Sequence, residues 1–299
     1  MADPASGQDV LRDALAQRAV EGRRADRAAE VAARHEDAAG ESSSRLREFH
    51  LRMAAMHRQV ELRHRAAASV HRSFAERLRR WSDAAPADDA PSLVLTPLFL
   101  AAVADTADAQ GAAVTLFGQE REEVLSAASD GRVKSVQDLE FVCGEGPAHS
   151  CNRLRRAVTA SGAELARRWP LYGPGAVRLG VQRLAAVPIG LGRRPVGALT
   201  VYEPGVNRGV ADLDLLRTIA GTFQRLALSG DWGLVGLDPV LAQADWRDSV
   251  HQATGIVAVQ RECSLADALA VIKAYAFAAD LPVDEVAADL VAHRIRLED

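Results

Sequence analysis

The side chains with the most chemistry to offer are few. Three cysteines, Cys143, Cys151 and Cys263, stand in a chain of 299 residues. An odd, sparse set builds no disulfide framework and suits a reducing compartment. Cys143 and Cys151 could form a thiol switch, although a free cysteine more often serves as a small buried apolar residue. Catalytic signatures are absent from the sequence: there is no H-E-x-x-H, no phosphate loop, no G-x-S-x-G and no paired Cys-x-x-Cys. Gly190-Leu191-Gly192 lacks a third glycine and reads as part of a hairpin turn. The expectation is a protein that is not an enzyme and uses no cofactor or metal.

His50, His57, His64 and His71 recur every seven residues. On one helix, successive members lie ~10.5 Å apart along the axis. A metal–nitrogen bond is only ~2 Å, so neighbours on the same helix cannot share an ion. Sharing across two chains, a pH-sensitive stripe and a solvated flank all remain open.

Nucleic-acid chemistry needs cations. The net charge of -4 excludes a generic polyanion binder. Of 36 basic residues only Lys134 and Lys273 are lysine. From Arg45 to Trp81 there are ten arginines against three acids, a basic face. From Pro239 onward there are five basic and ten acidic residues. There, Arg247, Lys273, Arg294 and Arg296 are the candidates for phosphate contacts, and Tyr275 and His251 for stacking on bases.

The elements that must position these residues divide the chain in three. After Pro4 the next proline is Pro86, and no glycine lies between Gly40 and Gly111. Such a stretch, rich in Ala, Arg and Glu, favours helix over 1–84. With Leu46 at position a, the a series Leu46, Met53, Val60, Ala67, Phe74 and Trp81 is wholly apolar. The d series is Phe49, Met56, Arg63, Val70, Arg77 and Ala84. This heptad over 45–84 predicts either a coiled coil or one amphipathic helix folded back on a neighbour. The cluster 40–44 is the expected break.

Residues 93–230 mix apolar runs with turns. Thr96-Pro97 predicts a helix start. Strands are expected at 111–117, 123–129, 183–191 and 195–203, with a tight turn at Asp130-Gly131 and a closing helix over 210–228. Short connections imply an antiparallel sheet with helices. Residues 239–299 read as three helices, the second capped by Ser264 with Asp267 three residues on. The fold class is therefore α+β and multidomain.

The middle segment resembles a GAF domain. The residues that carry the likeness are Cys143-Gly144-Glu145-Gly146-Pro147, Arg168-Trp169-Pro170 and the run VPIGLGRRPVGALTVYEP. It implies a sensor for a small-molecule or protein signal. Ala148 stands where the most similar subfamily carries cysteine. The C-terminal segment resembles an ANTAR domain through Gln252-Ala253-Thr254-Gly255-Ile256-Val257, through 266–276 and through Val286-Ala287-Ala288-Asp289-Leu290-Val291. It implies binding to paired RNA stem-loops in transcription antitermination, as a dimer. Lys273 falls where that family carries arginine, and Thr254 where many members carry lysine. The implied RNA-binding residues are Thr254, Gly255, Lys273, Tyr275, Arg294 and Arg296.

No apolar run approaches the ~20 residues of a membrane span, and the first residues lack a signal-peptide pattern. The combined expectation is a cytoplasmic, homodimeric, signal-responsive RNA-binding regulator, coiled coil then GAF-like sensor (93–230) then ANTAR-like output (239–299), with no membrane partner. The alternative is a sensor or protein-interaction scaffold whose ANTAR-like bundle binds no RNA, for which the acidic balance and Thr254 argue.

Overall fold

The computed structural model describes residues 7–84, 95–118, 121–191, 194–205, 211–229, 247–279 and 281–297. Most of the polar, Pro-bearing linker that the sequence predicts at 84–92, and Gly192 and Arg193 of the turn it predicts at 192–194, lie outside the described residues, as does the stretch 230–246. The chain divides into two compact units, 1–109 with 205–243 and 110–204 with 244–299.

The first unit is helical. Helix α1 (Gly7–Glu41) and helix α2 (Ser44–Ala84) are separated at Ser42-Ser43, inside the expected break. They lie antiparallel, since Glu21 meets His64 while His35, further along α1, meets His50, nearer the start of α2. The α1 face is a three-four repeat of Val10, Ala14, Glu21, Ala25, Ala28, Ala32 and Ala39, all buried. Alanine on both sides of a helix pair lets the backbones approach closely. The heptad seam is not the face α2 turns to α1. That face is the neighbouring stripe of Ala54, Glu61, His71, Ala75 and Leu78, which are buried, with His50, His57 and His64 partly so.

The second half of the seam is used elsewhere. Ala67, Val70 and Phe74 are buried, and Phe74 meets Phe99 edge-on at 5.5 Å. Phe99 belongs to helix α3 (Leu95–Thr106), which Arg77 also ties through two hydrogen bonds to Asp105, at 2.7 and 2.6 Å. The Thr96 hydroxyl is buried and finds no partner among the described residues, so it does not cap α3 as expected. The first half of the seam stays open: Leu46, Phe49 and Met56 are 56%, 47% and 46% exposed.

The second unit is built on a five-stranded antiparallel sheet, in the order β2-β1-β5-β4-β3. The strands are β1 (Gly111–Phe117), β2 (Glu123–Ala128), β3 (Val158–Ser161), β4 (Arg183–Leu191) and β5 (Arg194–Tyr202). Four were expected; β3, with four residues, is too short for its alternation to register. Between β2 and β4 run four helices: α4 (Gly131–Cys143), α5 (Pro147–Leu154), α6 (Glu164–Arg168) and α7 (Tyr172–Arg178). Asp130 does not simply turn the chain, as expected; its side chain accepts from the Val133 amide at 3.0 Å and caps α4. Helix α8 (Leu213–Ser229) belongs to the first unit.

Three further helices complete the second unit: α9 (Asp248–Gln260), α10 (Leu265–Ala279) and α11 (Val283–Val291). Ser264 Oγ accepts from the Asp267 amide at 3.1 Å and starts α10 as expected. Their core is Val250, Ala253, Val257, Ala268, Ile272, Ala276, Val283, Val286, Ala287 and Leu290, and it includes Phe141 of α4. Helical spacing makes Leu265, Leu269, Ile272, Ala276 and Phe277 an apolar stripe on α10, but only Ile272 and Ala276 are buried, while Leu265 and Phe277 are exposed. Among the described residues no helix is long and apolar enough to cross a membrane.

Candidate nucleic-acid interface

The sheet domain carries its likeness-bearing turn in a well-defined form. Gly144 ends α4 with φ +65, the left-handed conformation that a helix terminus needs and glycine tolerates. Glu145 then accepts from the amides of Leu171 and Tyr172, at 2.6 and 3.2 Å, and so fixes the start of α7. Gly146 packs against Glu140, where a Cβ would come within 2.6 Å of the carboxyl carbon. Pro147 begins α5.

Behind this turn the space between the sheet and helices is filled by Cys151, Leu165, Trp169, Tyr172 and Tyr202. Trp169 Nε1 donates to Ser150 Oγ at 2.9 Å. Cys143 and Cys151 are free thiols. Burial pushes Cys143 up to about 11 and Cys151 to about 12, so neither is a thiolate at neutral pH. The thiol switch weighed from their spacing has no activated cysteine to start it.

The histidine repeat runs along the α1–α2 contact rather than along a solvated flank. His35 and His50 present their Nδ1 atoms 2.9 Å apart, and the His35 ring stacks on His57 with centroids 6.0 Å apart. His64 meets Glu21 at 2.6 Å. His71 is buried, and that burial lowers its pKa. Among the described residues, no three His, Cys, Asp or Glu side chains are grouped to hold a metal ion.

The six residues nominated for RNA binding are divided by the bundle. Thr254 is buried, its hydroxyl donating to the Val250 carbonyl one turn back at 2.6 Å. Gly255 is half-buried, and a Cβ built on it would meet nothing within 4 Å among the described residues. Close packing against the described helices is therefore not why glycine stands there. Around it Gln252, Ile256, Val259, Gln260 and Val291 form a shallow outer surface, with Val259 80% exposed. Tyr275 is 38% exposed. Arg294 and Arg296 are exposed, Arg294 donating to Asp289 at 2.7 Å.

Lys273 points the other way. Its Nζ lies 3.7 Å from the centroid of the Phe141 ring, and burial brings its pKa down to about 8. Arg247, at the start of α9, shares that ring at 4.5 Å. It is 1% exposed and donates to Glu123 of β2 at 3.2 Å, Asp138 of α4 at 2.8 Å and Asp284 of α11 at 3.2 Å. Lys134 of α4 closes the set by pairing with Asp284 at 2.8 Å. Arg247 and Lys273 thus share one aromatic ring, while Arg247 and Lys134 meet the carboxylates of Glu123, Asp138 and Asp284. Arg247 and Lys273, candidates for phosphate contacts by residue type, find protein partners instead. Glu123 and Phe141 gave no signal, since a lone acid opening a strand and a lone aromatic closing a helix are ordinary.

Beside this contact lies a groove of about 560 Å³, bordered by Asp138, Leu139 and Val142 of α4 and by Ala276, Phe277 and Val283 of the bundle. Searches of family models, curated proteins and solved structures find no match to the chain.

Proposed function

We propose that the chain is a signal-responsive RNA-binding regulator of transcription antitermination, with the sheet domain as sensor and the bundle α9–α11 as output, acting as a dimer. The observation that carries the reading is Gly255. Glycine inside a helix costs ~1 kcal/mol against alanine, and nothing among the described residues requires the missing Cβ. A close approach from outside, such as an RNA backbone, supplies the requirement. Tyr275, Arg294 and Arg296 are exposed and offer stacking and phosphate contacts. The open seam of Leu46, Phe49 and Met56 supports pairing with a second copy.

A second reading, a sensor or interaction scaffold without RNA, is favoured by the inward placement of Arg247 and Lys273 and by the acidic balance of the bundle. Binding of a two-stem-loop RNA against a random-sequence RNA of equal length separates the two. The first reading expects structure-specific affinity that falls on Lys273→Ala. Equal affinity for both RNAs supports the scaffold.

A further inference from the structure

Five basic residues are all the bundle segment has, and two of them, Arg247 and Lys273, are turned onto the sheet domain. Their partners there are an aromatic face, Phe141, and carboxylates, Glu123 and Asp138. A stem-loop presents the same two chemistries, a base face and anionic oxygens. We propose that the α4–β2 surface imitates RNA and holds the bundle in a masked state, with Phe141 in the place of a base and Glu123 and Asp138 in the place of phosphates. This rests on the RNA-binding reading above.

A contact meant only to hold two parts together needs no buried cations. Apolar side chains of similar volume give equal or greater stability, because desolvating ions offsets most of their attraction. The contact also sets Arg247 and Lys273 against one ring, so that each repels the other while both are held. Opening returns both cations and both carboxylates to water, which recovers their hydration. The groove alongside leaves the contact unsealed on one flank, bordered by α4 on one side and by α10 and α11 on the other. Charged, self-repelling and open-sided, the contact has the makings of a reversible latch. RNA and the α4–β2 surface then compete for the same cations, and a signal that loosens α4 raises RNA affinity by freeing them.

The chain itself supplies a reporter, since Lys134 and Lys273 are its only lysines. Amine acylation of the full chain at several pH values, read by mass spectrometry, gives the rate of the free amine at Lys273, with Lys273 of the urea-unfolded chain as reference because Lys134 is itself held in the contact. In the folded, unaltered protein the Lys273 free amine is expected to react about tenfold more slowly than in the unfolded chain. Glu123→Gln and Phe141→Leu remove the carboxylate or the ring face, and each is expected to bring Lys273 up to the unfolded-chain rate. If the open form is a minor state of about 1–10%, the same variants bind the two-stem-loop RNA about 10- to 100-fold more tightly. Lys273→Ala in either background abolishes the gain. Asp138→Asn, the mildest change, together with circular dichroism, guards against a variant that merely unfolds.

Equal free-amine reactivity of Lys273 in the folded and the unfolded chain overturns the latch, whatever the RNA does. So does acylation of Lys273 that stays slow in all three folded variants. If Lys273 is unmasked but RNA affinity stays at the random-sequence level, the contact is real and the RNA reading fails, and the mimicry fails with it.

Discussion

Removing Arg247 exposes the energetics of the second unit most sharply. The guanidinium neutralises Glu123, whose side chain is only 3% exposed. Arg247→Met fills much of the same volume but leaves a buried carboxylate without its hydrogen-bonded ion-pair partner, at a cost of about 3–5 kcal/mol. Asp138 and Asp284, at 14% and 33% exposure, are partly solvated and add less. Burial already raises the Glu123 pKa, and Arg247 holds it back. Without Arg247 it rises further, so the folded variant takes up a proton that the unfolded chain does not. Stability then falls as pH rises through that window, and acidification restores part of it. The variant should therefore lose more against the unaltered protein at pH 8 than at pH 5.

Urea unfolding at both pH values, followed by a probe in the second unit, reads this directly. Glu123→Gln in the Arg247→Met background removes the stranded charge. The double variant should recover at least about 2 kcal/mol relative to the sum of the single changes. Additivity within about 0.5 kcal/mol, or a pH-independent loss, would refute the argument that Glu123 and Arg247 are energetically one unit.

Three other outcomes follow from the same structure. Gly255→Ala should raise the thermal stability of the bundle by about 1 kcal/mol, since its Cβ enters open space, while weakening RNA binding about tenfold by blocking close approach; unchanged RNA affinity would remove the argument from Gly255. Phe49→Glu with Met56→Glu should shift the full chain from dimer to monomer in sedimentation without unfolding it, because both side chains are exposed; a persistent dimer would place the interface elsewhere. Burial lowers the His71 pKa, so the stability His71 contributes is present above the unfolded value near 6.5 and is lost as pH falls below it; chemical unfolding of the first unit between pH 7 and 5 should show the loss, and His71→Leu should remove it.

Much of the architecture was legible because it rests on local signals. The absence of proline and glycine announced the long helices, and Ser264 with Asp267 announced α10. The strands at 183–191 and 195–203 read from apolar runs bounded by turn residues. What failed to read depends on tertiary partners. The heptad locates a seam, but no spacing rule tells which face of α2 an alanine-rich α1 will take. The histidines, at one heptad position, leave a shared metal, a pH-sensitive stripe and a solvated flank open in the sequence, because nothing in their own repeat identifies Glu21 or His35 as partners. Arg247 and Lys273 were recognisable as scarce cations. Their inward turn is decided by Phe141 and Glu123, more than a hundred residues earlier, whose residue types carry no warning.

The central claim is that the bundle's cations serve RNA when they are not serving the sheet domain. Affinity of the full chain for a two-stem-loop RNA across a salt series tests it most directly. With Arg247, Lys273, Arg294 and Arg296 as phosphate contacts, the logarithm of affinity should fall with the logarithm of salt at a slope of about -3, flattening by nearly one unit on Lys273→Ala. Preference for the structured RNA over a random one should persist throughout. A slope near zero, unchanged by Lys273→Ala and without preference between the RNAs, would contradict the account.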